Sequence, residues 1–276
     1  SKSIKERWMK LSEINNISGR TVVVTGGSSG IGLATAEYFL AADANVAICG
    51  RDKNRLNLAY QELSSKFSED RIFAKLADVT SKEQVEDFAK SVIDNFGGVD
   101  TLVNNAGQAR LSQFADTDDL AWNEELNLKF FSIIYPSKIF QTCLEKSPSG
   151  SIVCVGSLLA LQPERHLVAT SAARAGQLNL IHSMAQEMAP NIRVNSILIG
   201  TVQSGQWLKR FEADKNSGND YDAWLKEKAL TKGIPLGRFG KPEEAARAIY
   251  FLGTPLSSYT TGSTIDVSGG YSRHVG

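Results

Sequence analysis

Residues 21–32 read TVVVTGGSSGIG, and this stretch decides the fold of the chain. Its first five residues are all β-branched, a composition typical of a buried strand. Glycines end this run, and the pattern that follows predicts a helix from Gly30 to about Ala42. A strand that leads through a glycine-rich turn directly into a helix is typical of the opening unit of nucleotide-binding α/β folds.

The rest of the chain continues this alternation of strands and helices. Further strands are predicted at 45–49, 71–76, 99–103, 151–155, 192–198 and 263–267. Helices are predicted at 53–67, 82–95, 118–144, 169–188 and 242–252. Strands that alternate with helices form a parallel sheet that is covered on both faces. The predicted fold class is therefore α/β, a doubly wound parallel sheet with three α/β/α layers.

The composition excludes several functional classes. Of the 276 residues, 22% are charged and 42% are hydrophobic, as in ordinary globular domains. Lys+Arg and Asp+Glu number 30 each, so the chain lacks the basic excess of many nucleic-acid-binding proteins. No apolar run reaches the roughly 18 residues of a membrane span. We therefore expect a small-molecule substrate as the partner, and neither nucleic acid nor a membrane.

The cysteine and histidine residues argue against disulfide bonds and a metal site. The three cysteines, Cys49, Cys143 and Cys154, are an odd number at wide spacing. This indicates a reducing compartment, so we expect a cytoplasmic protein. The three histidines form neither an HExxH motif nor a Cys–His pattern, so no metal is predicted.

Two segments lie outside the regular alternation. Residues 1–17 are predicted to form an N-terminal helical extension, because Ile4, Trp8 and Leu11 fall on one helical face. Residues 18–276 are predicted to form a single dinucleotide-binding and catalytic domain. Within it, the long connection at about 201–235 leaves the carboxyl end of a strand, as a substrate lid would. Ordinary packing of a surface helical pair is the alternative for its four aromatic residues, Trp207, Phe211, Tyr221 and Trp224.

The glycine-rich turn after the first strand has the chemistry of a phosphate-binding site. Glycine lacks the Cβ atom that would keep the backbone away from a pyrophosphate. The N–H groups at the start of a helix attract the negative charge of that group. Serine hydroxyls in the turn can donate further hydrogen bonds. The residues predicted to hold the phosphates are Gly26, Ser28, Ser29, Gly30, Ile31 and Gly32.

Five motifs spread over the chain carry a family resemblance. They are the Gly-x-x-x-Gly-x-Gly spacing at 26–32, NNAG at 104–107, Gly156-Ser157, GRFGKPEE at 237–244 and SGG at 268–270. From about Ser18 to Tyr271 the chain resembles the short-chain dehydrogenases/reductases. The resemblance implies a single-domain Rossmann fold, a nicotinamide cofactor and assembly into a homotetramer or homodimer.

The resemblance also implies roles for individual residues. Ser157 matches the family's catalytic serine, and Asn127 matches its active-site asparagine. Ile199 stands where the family usually has a proline, a change that would alter the backbone beside the nicotinamide. The further cofactor-binding residues that the resemblance implies are Asp78, Val79, Asn105, Ala106, Gly107, Arg174, Gly200 and Val202.

The end of the second strand indicates which nicotinamide cofactor is bound. An acidic residue there would bind the ribose 2′-hydroxyl of NAD, whereas an arginine suits the 2′-phosphate of NADP. The chain has Gly50, Arg51 and Asp52 at this point. Because Arg51 offers a planar fork for phosphate and the position before it is glycine, the sequence favours NADP. The alternative is NAD, with Asp52 bound to a free 2′-hydroxyl.

The chain departs from the family at its central catalytic motif, Tyr-x-x-x-Lys. Thirteen residues after Ser157 the chain has Thr170, and four residues later it has Arg174. A threonine hydroxyl is far less acidic than a phenol and reaches less far, and an arginine stays protonated. Thr170 and Arg174 are nevertheless candidate catalytic residues. His166 is a third candidate, because an imidazole group titrates near neutral pH.

Three functions are compatible with these observations. The favoured one is an NADP-dependent short-chain oxidoreductase with a non-standard proton-transfer set. It would transfer hydride to or from a small or medium organic substrate with a carbonyl, an alcohol or an activated C=C bond. The second is a catalytically inactive NADP-binding subunit or sensor. The third is a non-redox lyase or isomerase on the same scaffold.

Overall fold

The computed structural model describes residues 15–214 and 218–274. The helical extension predicted for residues 1–17 lies, apart from its last three residues, outside this described part of the chain. Within the described part, no helix combines the length and the apolar character needed to cross a membrane.

A seven-stranded parallel sheet forms the centre of the structure, in the order β3-β2-β1-β4-β5-β6-β7. The strands are β1 Thr21–Thr25, β2 Asn45–Gly50, β3 Ile72–Leu76, β4 Thr101–Asn104, β5 Ser151–Ser157, β6 Arg193–Ile199 and β7 Thr264–Val267. The chain builds outward from β1 to β3 and then crosses back to place β4 on the other side of β1. Such a switch point leaves a crevice at the carboxyl ends of the strands. The predicted doubly wound α/β fold is confirmed.

Helices cover both faces of the sheet. They are α1 Gly30–Ala41, α2 Lys53–Ser64, α3 Lys82–Phe96, α4 Asp119–Lys146, α5 Val168–Met188, α6 Gly205–Ala213, α7 Tyr221–Lys232 and α8 Pro242–Gly253. Side chains of a strand point alternately to the two faces. Val23 accordingly packs in the core that includes α3, α4 and α5, whereas Val22 and Val24 pack in the core that includes α1, α2 and α8. This burial on both faces explains why β1 is apolar at consecutive positions.

The loop after β4 is fastened to the start of α5. The residue before α5, Leu167, has no side chain that can cap the helix. Ser112 takes this role from another part of the chain, because its Oγ atom accepts from Ala169 N at 3.1 Å and its carbonyl oxygen accepts from Val168 N at 3.2 Å. These bonds satisfy N–H groups that a helix start leaves without partners. They also hold the first turn of α5, which carries Thr170, in place.

The segment predicted as a lid forms the two short helices α6 and α7. Their aromatic side chains pack on one another, with the ring centroids of Trp207 and Trp224 at 6.2 Å and those of Trp207 and Phe239 at 4.7 Å. Trp224 is buried in this cluster. Trp207 is only half-buried and also faces the crevice. Trp224 therefore packs the two helices together, as the alternative interpretation expects. Trp207 packs in the same cluster and also lines the crevice, as a residue of a substrate lid would.

Candidate active site

One crevice of about 920 Å³ lies at the carboxyl ends of the strands, beside the switch point between β1 and β4. Its size and position are typical of a cofactor and substrate site. The structure brings most of the predicted site residues together along its walls: Gly26, Ser28, Ser29, Gly30, Ile31, Arg51, Asp78, Val79, Asn105, Ala106, Gly107, Ser157, His166, Thr170, Arg174, Gly200 and Val202.

The backbone of the glycine-rich turn fits a diphosphate. Gly26 has a φ angle of +64°, and a Cβ atom there would lie 2.8 Å from the Cα atom of Ala106. Gly30 has a φ angle of +55°, and a Cβ atom there would meet no heavy atom within 4 Å. Gly30 thus leaves open space on the crevice wall at the start of α1. The side chain of Ser29 does not cap α1, so the first N–H groups of this helix stay available to an anion.

Gly32 packs against the glycine-rich turn itself. It does not line the crevice, and a Cβ atom there would lie 2.3 Å from the carbonyl oxygen of Gly26. The Nδ2 atom of Asn105 donates to the carbonyl oxygens of Thr25 at 3.1 Å and Gly26 at 3.0 Å. Gly32 and the Asn105 side chain therefore hold the turn in shape, and the contact of Gly32 with the cofactor stays a prediction.

The ribose end of the crevice is lined by Arg51, Asp52 and Arg55. Asp52 caps α2, since its Oδ1 atom accepts from Arg55 N at 3.0 Å and its Oδ2 atom lies 3.1 Å from Arg55 Nε. The Arg55 N–H group accordingly lowers the pKa of Asp52. Arg51 is exposed and forms no ion pair with any residue in the described ranges. The carboxylate that would bind a 2′-hydroxyl is thus engaged, and the guanidinium that would bind a 2′-phosphate is not.

Asp78 and Gly200, two further residues predicted to contact the cofactor, line the walls of the crevice. The Oδ1 atom of Asp78 accepts from both N and Oγ1 of Thr80, at 2.9 and 2.7 Å, which fixes the turn after β3. Gly200 follows the last residue of β6, and a Cβ atom there would lie 2.7 Å from the Cβ atom of Ser268. The close approach of these two segments requires glycine here, and Ile199 before it is accommodated as the last residue of β6.

Arg174 and Ser157 face the crevice where the nicotinamide ring is expected. The Nη1 atom of Arg174 donates to the carbonyl oxygen of Val155 and to Gln177 Oε1, both at 2.9 Å. Its Nε atom is enclosed and has no hydrogen-bond partner, and its Nη2 atom points towards Gly107. Desolvation lowers the pKa of Arg174 to about 10. Among the described residues, Ser157 Oγ accepts only from Leu159 N at 3.3 Å, so its proton is available to a substrate.

Thr170 lies in the wall of the crevice although only 1% of its surface is exposed. Its hydroxyl accepts from Arg110 N at 3.2 Å and donates a short hydrogen bond to Glu125 Oε1. The hydroxyl is therefore bonded to a buried carboxylate from α4. A threonine in this setting can pass a proton between the crevice and a titratable group behind it.

Asn127 is the catalytic candidate that the structure does not support. It is exposed on α4 and does not line the crevice. Lys129, two residues later and so on a different face of the helix, is buried behind Thr170 and Arg174 with 1% exposure. Its Nζ atom donates to Glu125 Oε1 and to the carbonyl oxygen of Gln108, both at 2.7 Å.

Glu125, Lys129 and Arg174 form a charged group with one carboxylate and two cations. Burial lowers the pKa of Lys129 to about 8, and the charge of Arg174 acts in the same direction. The Glu125 carboxylate opposes this shift but does not cancel it. The wall of the crevice at Thr170 thus combines a poised proton donor with an excess of positive charge.

His166 occupies a more open position than the other candidates. Its side chain is 55% exposed, and its Nε2 atom lies 3.1 Å from Glu164 Oε2. Its carbonyl oxygen accepts from Ser112 N at 3.0 Å. The residue lines the outer part of the crevice, and no hydrogen bond among the described residues joins its ring to Thr170. Its catalytic role stays a prediction, with weaker geometric support than that of Thr170.

Sequence reasoning missed Glu125, Lys129 and Gln177. A Glu–Lys pair at i, i+4 is typical of an exposed helix face, so the pattern gives no sign of burial. Only the packing of α4 against α5 encloses the pair. The Nε2 atom of Gln177 on α5 then donates to the carbonyl oxygen of Lys129, which ties the two helices together at this point.

Comparison with known proteins identifies the family of this chain. A model of the short chain dehydrogenases matches residues 20–215, well over half of the chain. The chain belongs to the short-chain dehydrogenase/reductase family. Among curated short-chain dehydrogenases/reductases it is 30% identical to a 3-oxoacyl-(acyl-carrier-protein) reductase of Thermotoga maritima over 92% of this chain and 98% of that protein. The corresponding reductase of Chlamydia pneumoniae is 34% identical, over 91% of this chain and 96% of its own length.

Two solved structures of short-chain dehydrogenases/reductases are similar in fold and sequence. The NADPH-bound short chain oxidoreductase of Pseudomonas aeruginosa PAO1, which contains an atypical catalytic center, has 56% identity and a TM-score of 0.90. The match covers 95% of this chain and all of that one. L-Sorbose reductase of Gluconobacter frateurii, complexed with NADPH and L-sorbose, has 32% identity and a TM-score of 0.89, over 94% of this chain and 99% of its own.

Proposed function

We propose that this short-chain dehydrogenase/reductase is an NADP-dependent oxidoreductase whose substrate is a small or medium carbonyl or alcohol compound or an activated C=C bond. One observation carries the proposal: a hydrogen-bonded chain from Lys129 through Glu125 to Thr170 ends in the wall of the crevice that holds the phosphate-binding turn. The nicotinamide supplies or accepts the hydride when it is bound. The protein must hold it, orient the substrate and move a proton.

The assignment to NADP rests on the residues at the ribose end. Arg51 and Arg55 line this part of the crevice, and the Asp52 carboxylate is engaged in capping α2. The similar structures from P. aeruginosa and G. frateurii both contain NADPH. Gly26, Gly30 and the first N–H groups of α1 would hold the diphosphate, and Arg174 would hold ribose hydroxyls with its Nη2 group.

Replacing Arg51 by alanine should weaken NADP binding far more than NAD binding. Hydrogen bonds to a charged group contribute roughly 1.5–3 kcal/mol, so the affinity for NADP is expected to fall about 10–100-fold. The affinity for NAD should stay nearly constant because it has no 2′-phosphate. Calorimetric titration of both cofactors into the wild type and the variant checks this. Equal weakening of the two cofactors would assign Arg51 to general charge attraction instead.

The proton path is easiest to follow for alcohol oxidation. The substrate hydroxyl gives its proton to Thr170 Oγ1, the threonine passes its own proton to Glu125, and Lys129 in its neutral form receives it from Glu125. Carbonyl reduction reverses each transfer. Because threonine is shorter than tyrosine, a substrate oxygen bonded to Thr170 must approach α5 closely, which places it near Arg174.

The charges around Thr170 stabilise an oxyanion. Arg174 and Lys129 carry two positive charges against the single carboxylate of Glu125. An alkoxide that forms as hydride arrives would meet this excess charge in a site with little water, where fixed charges act strongly. Ser157 can donate a hydrogen bond to the same oxygen. Together these groups replace, in the proposal, the tyrosine and lysine that the family usually has.

Replacing Thr170 by valine tests the proposed function directly. Valine has the shape of threonine without the hydroxyl, so kcat for NADPH oxidation with a carbonyl substrate should fall roughly 10²–10⁴-fold, the usual contribution of general acid–base catalysis. Serine at this position should retain most of the activity. Thr101→Val is the control, because the buried Thr101 hydroxyl donates to Gly253 O, in a core away from the crevice.

The outcome of this assay separates the three functions considered. A wild-type protein that binds NADPH but oxidises it with no ketone, aldehyde or enone would support the inactive subunit. A product formed without any change in nicotinamide absorbance would support the lyase or isomerase. Activity that is unaffected in the Thr170→Val variant would contradict the proposed proton path while leaving the oxidoreductase assignment in place.

Location in the cytoplasm and assembly into a homotetramer or homodimer are further parts of the proposal. The absence of a disulfide among Cys49, Cys143 and Cys154 is compatible with a reducing compartment. Tyr259 is fully exposed and Phe251 is partly exposed, which suits surfaces that a second subunit would cover. Sedimentation analysis of the full chain measures the assembly state.

A further inference from the structure

The outer end of the crevice is lined by cationic side chains from the two short helices. Lys209 and Arg210 belong to α6, and Lys232 ends α7. All three line the crevice, as do Glu164 and His166. Glu164 is the acidic residue at this end, and it is already paired with His166 at 3.1 Å.

Arg210 and Lys232 gather around the same aromatic ring. The Cζ atom of Arg210 lies 4.5 Å from the centre of the Trp207 ring, and the Nζ atom of Lys232 lies 6.0 Å from it. The same Nζ atom lies 5.8 Å from the centre of the Tyr271 ring. The aromatic faces attract both cations, but the two like charges repel each other. An anion between them would relieve this repulsion.

Lys228, one turn before Lys232 on α7, differs in one respect. Lys228 contacts the Trp224 ring at 5.1 Å and also pairs with Asp214 at 3.5 Å. Arg210 and Lys232 have no carboxylate within ion-pair distance in the part of the chain that the structure describes. The crevice-lining cations of α6 and α7, Lys209, Arg210 and Lys232, therefore have no acidic partner among the described residues, and Arg210 and Lys232 are the two that share the Trp207 ring.

We propose that the substrate carries an anionic group, a carboxylate or a phosphate, which binds between Arg210 and Lys232. The adjoining apolar part of the substrate would pack on Trp207 and Tyr271, and its reactive oxygen would point inward to Thr170. An arginine fork matches the planar arrangement of carboxylate and phosphate oxygens. This inference rests on the proposed function, because it names the class of substrate for the same crevice.

Binding of paired ketone probes to the protein saturated with NADP⁺ tests the inference, since oxidised cofactor cannot reduce a ketone, and a constant nicotinamide absorbance confirms that the hydroxyl groups of the phosphate pair are not oxidised. The carboxylate pair is 4-oxopentanoate and its methyl ester. The phosphate pair is dihydroxyacetone phosphate and dihydroxyacetone. The charged member of at least one pair should bind about tenfold more tightly than its neutral partner, and raising the salt concentration should reduce this difference. Which pair shows the difference identifies the anion.

Variants then connect the preference to the two residues. Arg210→Gln and Lys232→Met should each remove most of the preference, whereas Lys226→Met, which neutralises an exposed lysine of α7 outside the crevice, should not. NADP⁺ affinity should be the same in all three. Two results would overturn the inference. One is that neither pair shows a preference, which includes the case that no probe binds. The other is that Arg210→Gln and Lys232→Met weaken NADP⁺ binding and leave the preference unchanged. Failure of the wild type to bind NADP⁺ would instead contradict the proposed function.

Discussion

Replacing Lys129 by methionine is expected to lower kcat for carbonyl reduction by roughly 10²–10⁴-fold, the usual contribution of general acid–base catalysis. Methionine fills similar space but has no proton to deliver to Glu125 and Thr170. The affinity for NADPH should be unchanged, because Lys129 lies behind the crevice wall and does not line it. Steady-state kinetics combined with calorimetric titration of NADPH measures both quantities.

The pH dependence of kcat in the same variant distinguishes a proton-transfer role of Lys129 from a merely structural one. The pKa of Lys129 is lowered to about 8, and the groups that face it are Glu125, Arg174 and Arg110. Reduction needs the protonated lysine, so kcat for the wild type should fall as the pH rises through about 8. Oxidation needs the neutral form, so its kcat should rise over the same range. Lys129→Met should lose both dependences.

A second variant keeps this prediction testable if Lys129→Met fails to fold. Lys129→Met removes the cation that is hydrogen-bonded to the buried Glu125 and leaves Arg174 as its cationic neighbour, and breaking a buried pair typically costs about 3–5 kcal/mol of unfolding free energy. Lys129→Gln keeps an amide donor for Glu125 but has no titratable proton, so it should be more stable than Lys129→Met while remaining equally inactive. Urea unfolding measures the stability. Full activity and an unchanged pH profile in a folded Lys129→Met protein would contradict the relay.

Replacing Gly30 by alanine should abolish most of the affinity for the cofactor while the protein still folds. The new methyl group would enter open space on the crevice wall, where the diphosphate is expected. Loss of two hydrogen bonds to a charged group, at roughly 1.5–3 kcal/mol each, would weaken binding about 10²–10⁴-fold. Calorimetric titration of NADPH measures the loss.

Gly97→Ala is a matched control for the Gly30 variant. Gly97 ends α3 with a φ angle of +80°, and a Cβ atom there would also meet nothing within 4 Å. Both variants place alanine in a left-handed backbone conformation, so both should lose roughly 1–2 kcal/mol of unfolding free energy. Only Gly30→Ala should lose cofactor affinity. Similar NADPH affinities for the two variants would mean that the phosphates bind elsewhere.

The order of strands and helices was predictable because its signals are local. β1 has the predicted bounds, and α5 begins within one residue of the prediction. The helix predicted at 53–67 ends at Ser64, three residues early. Phe67 misled this prediction because it packs against the apolar core without being helical. Apolar periodicity reports which side chains are buried, and burial does not require the helix to continue.

The sequence predicted the cofactor, NADP, which the similar structures support, whereas the roles of the individual site residues stay predictions. The glycine turn, Arg51 and the Thr170–Arg174 pair were found from spacing along the chain and lie together in the crevice. Asn127 was chosen from the family resemblance, and it is exposed on α4. Asn127 and Lys129 lie on different faces of this helix, and of the two only Lys129 faces α5.

By itself, the sequence determined the strand–turn–helix unit at 21–41, since β-branched residues and glycines restrict the backbone whatever surrounds them. It also showed that position 170 carries a threonine where the family's catalytic tyrosine is expected. Only the tertiary structure decided that Glu125 and Lys129 are buried beside Thr170 and that Arg210 and Lys232 share one aromatic ring. Charge and burial at these positions depend on which helices pack together, and residues distant in the sequence set that packing.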